Sequence, residues 1–247
     1  MKLSQYLDST YLKLSSSSTI SEEETKEHII RLIQEAIALH FKLVMIRADY
    51  ISLAKQLISE VNSEVLVGTV IGFHEGTYSV SEKLKEAQKA IDLGVDELDF
   101  VLNYEAFKRG DHTLVQEEVA KGTEIALKNN KVVKWIIEVA ALSNAQIADL
   151  STLIKKEVIA TFGIEKAKHV FVKSSTGFYA AKLGKPTGAT FEAIKIMCAH
   201  AKPLKIKAAG GVKTREDALK MITLGVQRIG TSSAKSMVEG VNNNSDY

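Results

Sequence analysis

The sequence predicts a single (β/α)8 barrel, a fold of the α/β class. Apolar segments rich in β-branched residues alternate with helical patterns along all 247 residues, and each helical stretch can return the chain to a parallel neighbour. This length is typical of one barrel, and the sequence has two prolines and no linker. We therefore expect one TIM-barrel domain over residues 1–247, with a flexible tail from about residue 240 to Tyr247. A doubly wound open sheet is the alternative, but no Gly-x-Gly-x-x-Gly turn follows the first strands.

Eight segments are predicted to be the barrel strands because they are short, apolar and rich in β-branched residues. In chain order they are residues 6–10, 43–47, 65–73, 97–103, 132–139, 169–175, 204–209 and 227–231. Pairs typical of capping boxes stand at predicted helix starts, namely Ser21 with Glu24, Ser143 with Gln146 and Thr214 with Asp217. Glycines that we expect to be left-handed stand at three predicted helix ends: Gly94, Gly163 and Gly225.

Composition and charge exclude several classes of function. The net charge is +2 and no basic run is mixed with aromatic residues, so nucleic acid is not an expected partner. No apolar run approaches the length that spans a membrane, and the amino terminus lacks the apolar stretch of a signal peptide. Cys198 is the single cysteine, which leaves no internal disulfide and favours a reducing compartment. We therefore expect a cytoplasmic protein.

Alternation along four neighbouring strands predicts where their charged residues point. Successive side chains of a strand lie on opposite faces, and one face of each of these strands is wholly apolar. The apolar face should pack under the outer helices, so the other face must point into the barrel. It carries four charged residues in or near the strand halves where barrel active sites lie: Asp99, Lys134, Lys173 and Lys207.

Lys173 and Lys207 are the most informative of these residues. A buried ammonium is costly unless it is paired or deprotonated, and two adjacent ammonium groups repel, so one should lose its proton near neutral pH. A neutral amine in a cleft is what Schiff-base chemistry requires. One alternative is that these residues form internal ion pairs that fill the barrel, and for Asp99 with Lys134 this explains the pattern as well as catalysis does. Another is that the excess positive charge binds an anionic ligand.

Two glycine-containing motifs follow the last two predicted strands. Ala209-Gly-Gly-Val212 follows the seventh strand, and Gly230-Thr-Ser-Ser233 follows the eighth. The loops after these strands are the usual phosphate site of such barrels, because glycines let backbone N–H groups approach the phosphate oxygens. Each motif alone is equally compatible with a simple turn, but together they predict a phosphate site.

Three segments resemble those of the deoxyribose-phosphate aldolase family, whose members are class I aldolases. They are Val172-Lys-Ser-Ser-Thr-Gly-Phe178, Lys207-Ala-Ala-Gly-Gly-Val-Lys-Thr214 and Asp96-Glu-Leu-Asp-Phe-Val-Leu-Asn103. The resemblance also includes Gly188-Ala-Thr190, and it extends from about Leu7 to about Val238.

The resemblance implies a reaction and a set of site residues. Lys173 would form the Schiff base, Lys207 would lower its pKa, and Asp99 would relay protons with a bound water. Lys134 would keep Asp99 ionised. The residues implied to bind substrate are Asp8, Thr176, Gly177, Gly210, Gly211, Gly230, Ser232 and Ser233. The implied reaction is the reversible cleavage of 2-deoxy-D-ribose 5-phosphate to D-glyceraldehyde 3-phosphate and acetaldehyde. No metal or other cofactor is expected, because the imine does the work of a Lewis acid.

Six positions depart from the pattern of that family: Ser9, Met45, His74, Val139, Ala140 and Phe178. They leave the reactive lysines in place and bear on the aldehyde pocket, so a Schiff-base aldolase with another aldehyde is one alternative. A non-catalytic sugar-phosphate-binding barrel is a second, although a binding protein has no use for a neutral lysine. A phosphate-binding isomerase or synthase would need a lone carboxylate base instead. A homodimer is a further expectation, since barrels often pair through outer helices, but no feature of the sequence locates the contact.

Overall fold

The computed structural model describes residues 2–14, 20–180 and 187–240, and in them eight parallel strands close into a barrel in chain order. The strands are β1 (Leu7–Thr10), β2 (Leu43–Ile46), β3 (Leu66–Ile71), β4 (Glu97–Val101), β5 (Val132–Ile136), β6 (Val170–Lys173), β7 (Lys205–Ala209) and β8 (Arg228–Thr231). Each lies inside the segment predicted for it. The (β/α)8 fold is therefore confirmed and the doubly wound sheet is excluded. The predicted segments are longer mainly at their carboxyl ends, where the chain leaves the sheet to form the loops.

The outer layer of the described barrel consists of α-helices that follow the strands. They are α1 (Glu22–Ala38), α2 (Ile51–Glu60), α3 (Val80–Asp92), α4 (Tyr104–Lys108), α5 (His112–Lys128), α6 (Asn144–Phe162), α7 (Phe191–Ala201), α8 (Arg215–Thr223) and α9 (Ala234–Glu239). Two of them, α4 and α5, lie between β4 and β5. This arrangement puts every described loop that follows a strand at the same end of the barrel.

The helix ends agree with most of the capping predictions. Ser21 and Ser143 form complete capping boxes, while the Thr214 side chain accepts one hydrogen bond from the Asp217 backbone. Gly94 and Gly225 have positive φ values of 89° and 107°, the sign that the left-handed conformation requires. At Gly163 the prediction is wrong, because φ is 80° but ψ is 161°, which is not the left-handed helical conformation. The chain turns there directly into a 3-10 helix instead.

Two different interiors result from the alternation of side chains along the strands. The outward faces are apolar and pack under the helices: Phe100, Trp135 and Ile206 are all buried in this main core. The inward faces of β2 and β3 hold a second, smaller apolar cluster that includes Met45 and Val70. The remaining strands carry charged side chains inward, and these build the site.

Some predictions fall outside what the structure tests. The predicted flexible tail beyond Gly240, with Tyr247, lies outside the described residues. One domain over the whole chain stays a prediction. No described helix is both long and apolar enough to cross a membrane.

Candidate active site

Asp99 is buried inside the barrel and contacts three lysines. Its Oδ1 atom is 2.5 Å from Lys134 Nζ, and its Oδ2 atom is 2.8 Å from Lys173 Nζ and 2.9 Å from Lys207 Nζ. Strand register explains the contact, because β4 and β5 place Asp99 beside Lys134, and β6 and β7 place Lys173 beside Lys207. All four side chains are buried. The structure thus brings together the four residues that alternation directs inward.

The shared carboxylate and the burial change the ionisation of these groups. Burial acts to raise the pKa of Asp99, but its three lysine neighbours oppose this and hold the pKa well below its usual range. Burial lowers the pKa of Lys173 to about 8, with Asp99 opposing the shift and Lys207 adding to it. For Lys134, burial also acts to lower the pKa, but Asp99 and Glu97 outweigh it and raise the pKa. The cluster therefore combines an ionised carboxylate with a lysine that is half neutral at about pH 8.

Three more charged side chains lie deeper in the barrel, against this cluster. Asp8 Oδ2 is 2.6 Å from Lys207 Nζ, and Asp8 Oδ1 is 2.6 Å from Arg228 Nε. Glu97 Oε2 is 2.6 Å from Lys134 Nζ, and Glu97 Oε1 is 2.9 Å from Arg228 Nη1. Asp8, predicted to bind substrate, is thus occupied by two buried cations. Burial acts to raise the pKa of Asp8, but Arg228 and Lys207 lower it.

The sequence-based prediction of the site did not include Glu97 or Arg228. A signal for both was present in the alternation of side chains. Glu97 shares a strand face with Asp99, and Arg228 shares one with Gly230, two residues later. Alternation alone does not predict that the charged side chains of β1, β4 and β8 lie at the same depth inside the barrel.

A cavity of about 260 Å³ opens at the carboxyl ends of β1, β6, β7 and β8. It is lined by residues 10–13, 173, 176–178, 209–213 and 230–232. Of the described residues in the cluster around Asp99, Lys173 alone lines this cavity. A molecule bound there would therefore meet the Lys173 amine first, with Asp99 and Lys207 behind it.

Comparison with known proteins decides the family. The sequence model described as the DeoC/LacD family aldolase matches residues 6–241. The chain belongs to this aldolase family. Aldolases are carbon–carbon lyases, so the predicted family and the predicted enzyme class are confirmed.

Relatives and solved structures agree with this assignment. The chain is 37% identical to the deoxyribose-phosphate aldolase of Thermococcus gammatolerans, over 98% of each chain. It is 36% identical to deoxyribose-phosphate aldolase 1 of Mesoplasma florum, over 100% of each chain. A tetrameric deoxyribose phosphate aldolase structure from Aeropyrum pernix is 27% identical, with a TM-score of 0.76 that covers 96% of this chain and 90% of that one.

The predicted substrate-binding residues of this aldolase fall into two groups. Six of them line the cavity: Thr176, Gly177, Gly210, Gly211, Gly230 and Ser232. Asp8 and Ser233 are not among the described lining residues. Asp8 lies deeper in the barrel, and Ser233 precedes α9 with its backbone N–H donating to the Thr231 hydroxyl at 3.0 Å. Two of the loops that frame the cavity touch through their backbones, since the Ala189 N–H donates to the Gly210 carbonyl at 2.9 Å.

Gly230 also provides space inside the barrel, which the sequence did not indicate. A methyl group on its Cα would lie 3.0 Å from Lys207 Cε and 3.1 Å from Ala209 Cβ. These distances are shorter than ordinary carbon–carbon contacts. The absence of a side chain in β8 therefore leaves the space through which Lys207 reaches Asp99.

Glu138 holds the segment that follows Lys173. It lies just after β5 with a positive φ of 54°, and its Oε2 atom accepts hydrogen bonds from the Thr176 hydroxyl at 2.5 Å and the Thr176 N–H at 3.1 Å. The Thr176 hydroxyl in turn accepts from the Phe178 N–H at 3.0 Å. Burial raises the pKa of Glu138, although the bonds from Thr176 oppose this. These contacts fix the loop that leads from Lys173 into the cavity.

Two of the positions that depart from the family pattern meet at the edge of this cavity. Phe178 contacts Phe73 edge to face, with ring centroids 5.0 Å apart, and stacks on His74 at 5.8 Å. The Arg47 guanidinium lies over the Phe73 ring at 4.4 Å. Of this aromatic group, Phe178 lines the cavity next to Thr176, and Phe73 and His74 pack against its ring.

Within the described ranges, no three His, Cys, Asp or Glu side chains converge so as to hold a metal ion. The prediction that the reaction needs no metal or cofactor stays a prediction.

Proposed function

We propose that this aldolase reversibly cleaves 2-deoxy-D-ribose 5-phosphate to D-glyceraldehyde 3-phosphate and acetaldehyde through a Schiff base on Lys173. The observation that carries this is the position of Lys173, which lines the cavity and has a pKa lowered to about 8. A neutral buried amine is the nucleophile that imine formation requires. The names of the relatives support the choice of substrate.

In the first step, the neutral Lys173 amine adds to the aldehyde carbon of the open-chain sugar. The carbinolamine then loses water to give a protonated imine on Lys173. Asp99 Oδ2 lies 2.8 Å from Lys173 Nζ and is ionised, so it accepts a proton from the adding amine and helps return one to the leaving water. Lys134, 2.5 Å from the other oxygen of Asp99, keeps that carboxylate charged and oriented.

The protonated imine then withdraws electrons from the carbon–carbon bond that breaks. The hydroxyl group on the third carbon passes its proton to the carboxylate of Asp99 and becomes the aldehyde of D-glyceraldehyde 3-phosphate. The two-carbon enamine that remains on Lys173 is protonated on carbon, and water releases it as acetaldehyde. Lys207, 2.9 Å from Asp99 Oδ2, completes the proton relay behind Lys173.

The phosphate group is bound where β7 and β8 end. Gly210, Gly211 and Ser232 line this part of the cavity, and Ser233 follows them. Gly210 and Gly211 have positive φ values of 82° and 79°, a conformation that favours glycine. Because these residues have no side chains, a phosphate can approach their backbone N–H groups. Lys13 and Lys213 line the same cavity and add positive charge for a dianion.

A steady-state assay tests this function directly. We expect wild-type protein to release D-glyceraldehyde 3-phosphate from 2-deoxy-D-ribose 5-phosphate in an assay coupled to its oxidation, and we expect Lys173→Ala to release none. Unphosphorylated 2-deoxyribose is the matched substrate, for which kcat/KM should be lower if the cavity binds phosphate. Retained turnover by Lys173→Ala would refute the assignment of the nucleophile.

A related aldolase with a less polar aldehyde is the second candidate. Phe178, which lines the cavity and contacts the rings of Phe73 and His74, favours it, because an apolar substituent would pack there. A panel of acceptor aldehydes with acetaldehyde as donor separates the two. Preference for D-glyceraldehyde 3-phosphate supports the first, and preference for an unphosphorylated alkyl or aromatic aldehyde supports the second.

We also propose that the protein is cytoplasmic and forms a homodimer or a larger assembly of copies. Its Cys198 is a buried free thiol, which suits a reducing compartment. The related deoxyribose phosphate aldolase from Aeropyrum pernix has a tetrameric structure, which supports self-association. Light scattering of the purified protein gives the assembly mass, and a monomer at micromolar concentration would refute this part.

A further inference from the structure

Six buried charged side chains of the lumen contact one another in a closed ring in which the sign of the charge alternates. In order around the ring they are Arg228, Asp8, Lys207, Asp99, Lys134 and Glu97, and Glu97 contacts Arg228 again. The closest contact in each of the six pairs is between 2.5 and 2.9 Å. Four of the pairs have hydrogen-bond geometry, while Lys207 with Asp8 and Lys134 with Glu97 are close ion pairs.

The ring is electrically neutral when all its members are ionised, because it holds three carboxylates and three cations. Lys173 is outside it and contacts only Asp99 among the described carboxylates. Asp99 Oδ2 is also the oxygen that Lys207 uses. Each of the three ring carboxylates therefore already contacts two ring cations. Lys173 is an additional cation, for which the ring has no further carboxylate, and we call it the surplus cation.

We propose that Arg228 and Glu97 are positioning residues of the active site, which close this ring and so make Lys173 the lysine that gives up its proton. Neither residue lines the cavity in the described structure. They act through the groups they hold: Arg228 orients Asp8 and Glu97, and these two carboxylates orient Lys207 and Lys134 on either side of Asp99. The proposal deepens the proposed function, on which its consequence for turnover rests.

Arginine suits this place for two physical reasons. Its planar guanidinium presents donors in a fixed fork that can meet two carboxylates at once. It also keeps its charge at any pH that proteins meet; burial acts to lower the pKa of Arg228, but Asp8 and Glu97 raise it. Arg228 is thus a permanent cation in the ring.

Removing either residue should move the ionisation of Lys173, and in opposite directions. Without the Arg228 charge, three carboxylates face three lysines, so Lys173 gains a share of a carboxylate and should keep its proton to higher pH. Without the Glu97 charge, two carboxylates face four cations, so Lys173 should lose its proton at lower pH. The charged groups that face Lys173 directly are Asp99 on β4, Lys134 on β5, Glu138 after β5 and Lys207 on β7.

The test measures the free amine of Lys173 in the whole protein without substrate. Cyanate, a small reagent that carbamylates neutral amines, is reacted at a series of pH values, and the Lys173 peptide is quantified by mass spectrometry. Lys128, whose side chain is 70% exposed, serves as the internal control in every sample. The wild-type midpoint should lie near pH 8. We expect Arg228→Met to raise it and Glu97→Gln to lower it, each by about one pH unit.

Arg228→Lys keeps the charge and is expected to give a midpoint closer to wild type than Arg228→Met does. Equal midpoints in wild type, Arg228→Met and Glu97→Gln, or shifts of the two variants in the same direction, would overturn the proposal. If Arg228→Met does not fold, as judged by circular dichroism, Arg228→Lys and Glu97→Gln decide, and Glu97→Gln must lower the midpoint. Cyanate needs only the amine, so failure of the cleavage assay would refute the proposed function without affecting this result.

Discussion

Lys83 and Lys173 are both buried lysines that contact a carboxylate, yet they differ in how many acceptors their ammonium groups have. Lys83, on α3, donates to the Gly76 carbonyl at 2.6 Å, the Val101 carbonyl at 2.9 Å and Glu118 Oε1 at 2.6 Å. An ammonium has three protons, so each has its own acceptor. Lys173 has one acceptor among the described residues, Asp99 Oδ2, and shares it with Lys207.

The carboxylates differ in the same way. Glu118 serves one lysine, and its second oxygen accepts from the Asn103 N–H at 2.9 Å. Asp99 serves three lysines. The pair of Lys83 and Glu118 is therefore complete and ties the loop after β3 and the end of β4 to α5. The comparison teaches that two equally buried lysines can differ in their acceptors; in the proposed mechanism, Lys173 is the nucleophile because Lys207 already uses its acceptor.

Replacing Lys173 by Met is the test of this comparison for which we expect the largest effect. We expect turnover to fall by roughly 10³-fold or more, because no other amine of the cluster lines the cavity. We expect the melting temperature to stay the same or rise, because a surplus buried cation is removed and the ring stays neutral. Differential scanning calorimetry and the cleavage assay check both parts. A large loss of stability would show that Lys173 is needed for the fold, which is the role that we expect for Lys83.

Replacing Lys83 by Met should give the opposite result. The change leaves Glu118 and two carbonyls buried without their donor, which we expect to cost about 3–5 kcal/mol of the free energy of unfolding. The cluster around Asp99 is untouched, so kcat of the folded fraction should change little. Urea denaturation with Lys85→Met, an exposed lysine of the same helix, as the matched control measures the difference. Equal stability of the two variants would contradict the structural role of Lys83.

The dependence of imine formation on pH is a further test of the difference between the two lysines, and we expect a smaller effect. Because burial lowers the pKa of Lys173 to about 8, the neutral fraction of its amine falls about tenfold for each pH unit below that value. Imine formation should therefore slow in the same proportion from pH 7 to pH 6 and level off above pH 8. Single-turnover trapping of acetaldehyde over this range measures it. A rate that is flat between pH 6 and pH 8 would mean that Lys173 is already neutral or that another step is measured.

Gly230→Ala should have the smallest effect. The added methyl group would lie 3.0 Å from Lys207 Cε, so Lys207 must move by a few tenths of an ångström. We expect a loss of about 1–3 kcal/mol in stability and a decrease in kcat of up to about tenfold. Calorimetry and the cleavage assay measure these quantities. Unchanged values for both would show that the lumen has room for Lys207 elsewhere.

Much of the fold and the cluster around Asp99 could be predicted because alternation along strands is a local property. Lys134 and Lys173 had to face inward once the opposite faces of β5 and β6 were recognised as apolar. The ring could not be predicted, because its closure through Arg228 depends on the depth at which β1, β4 and β8 present their side chains. Lys83 could not be predicted either: it lies in a helix among charged residues, a pattern typical of a solvent-exposed face.

The roles of two predicted substrate-binding residues also needed the structure. Asp8 is in the first strand, and only the closure of β1 on β8 brings it to Arg228. Gly230 stands in a motif typical of a phosphate loop, but the side chain that needs its space comes from β7.

The measurement that tests the central claim most directly is borohydride reduction after incubation with acetaldehyde, read residue by residue by peptide mass spectrometry. At pH 8 we predict an ethyl adduct on Lys173, with Lys207 and Lys83 unmodified in the same sample. An adduct on Lys207 in place of Lys173, or no adduct on any buried lysine of the folded protein, would contradict the claim that the surplus cation of the lumen is the nucleophile.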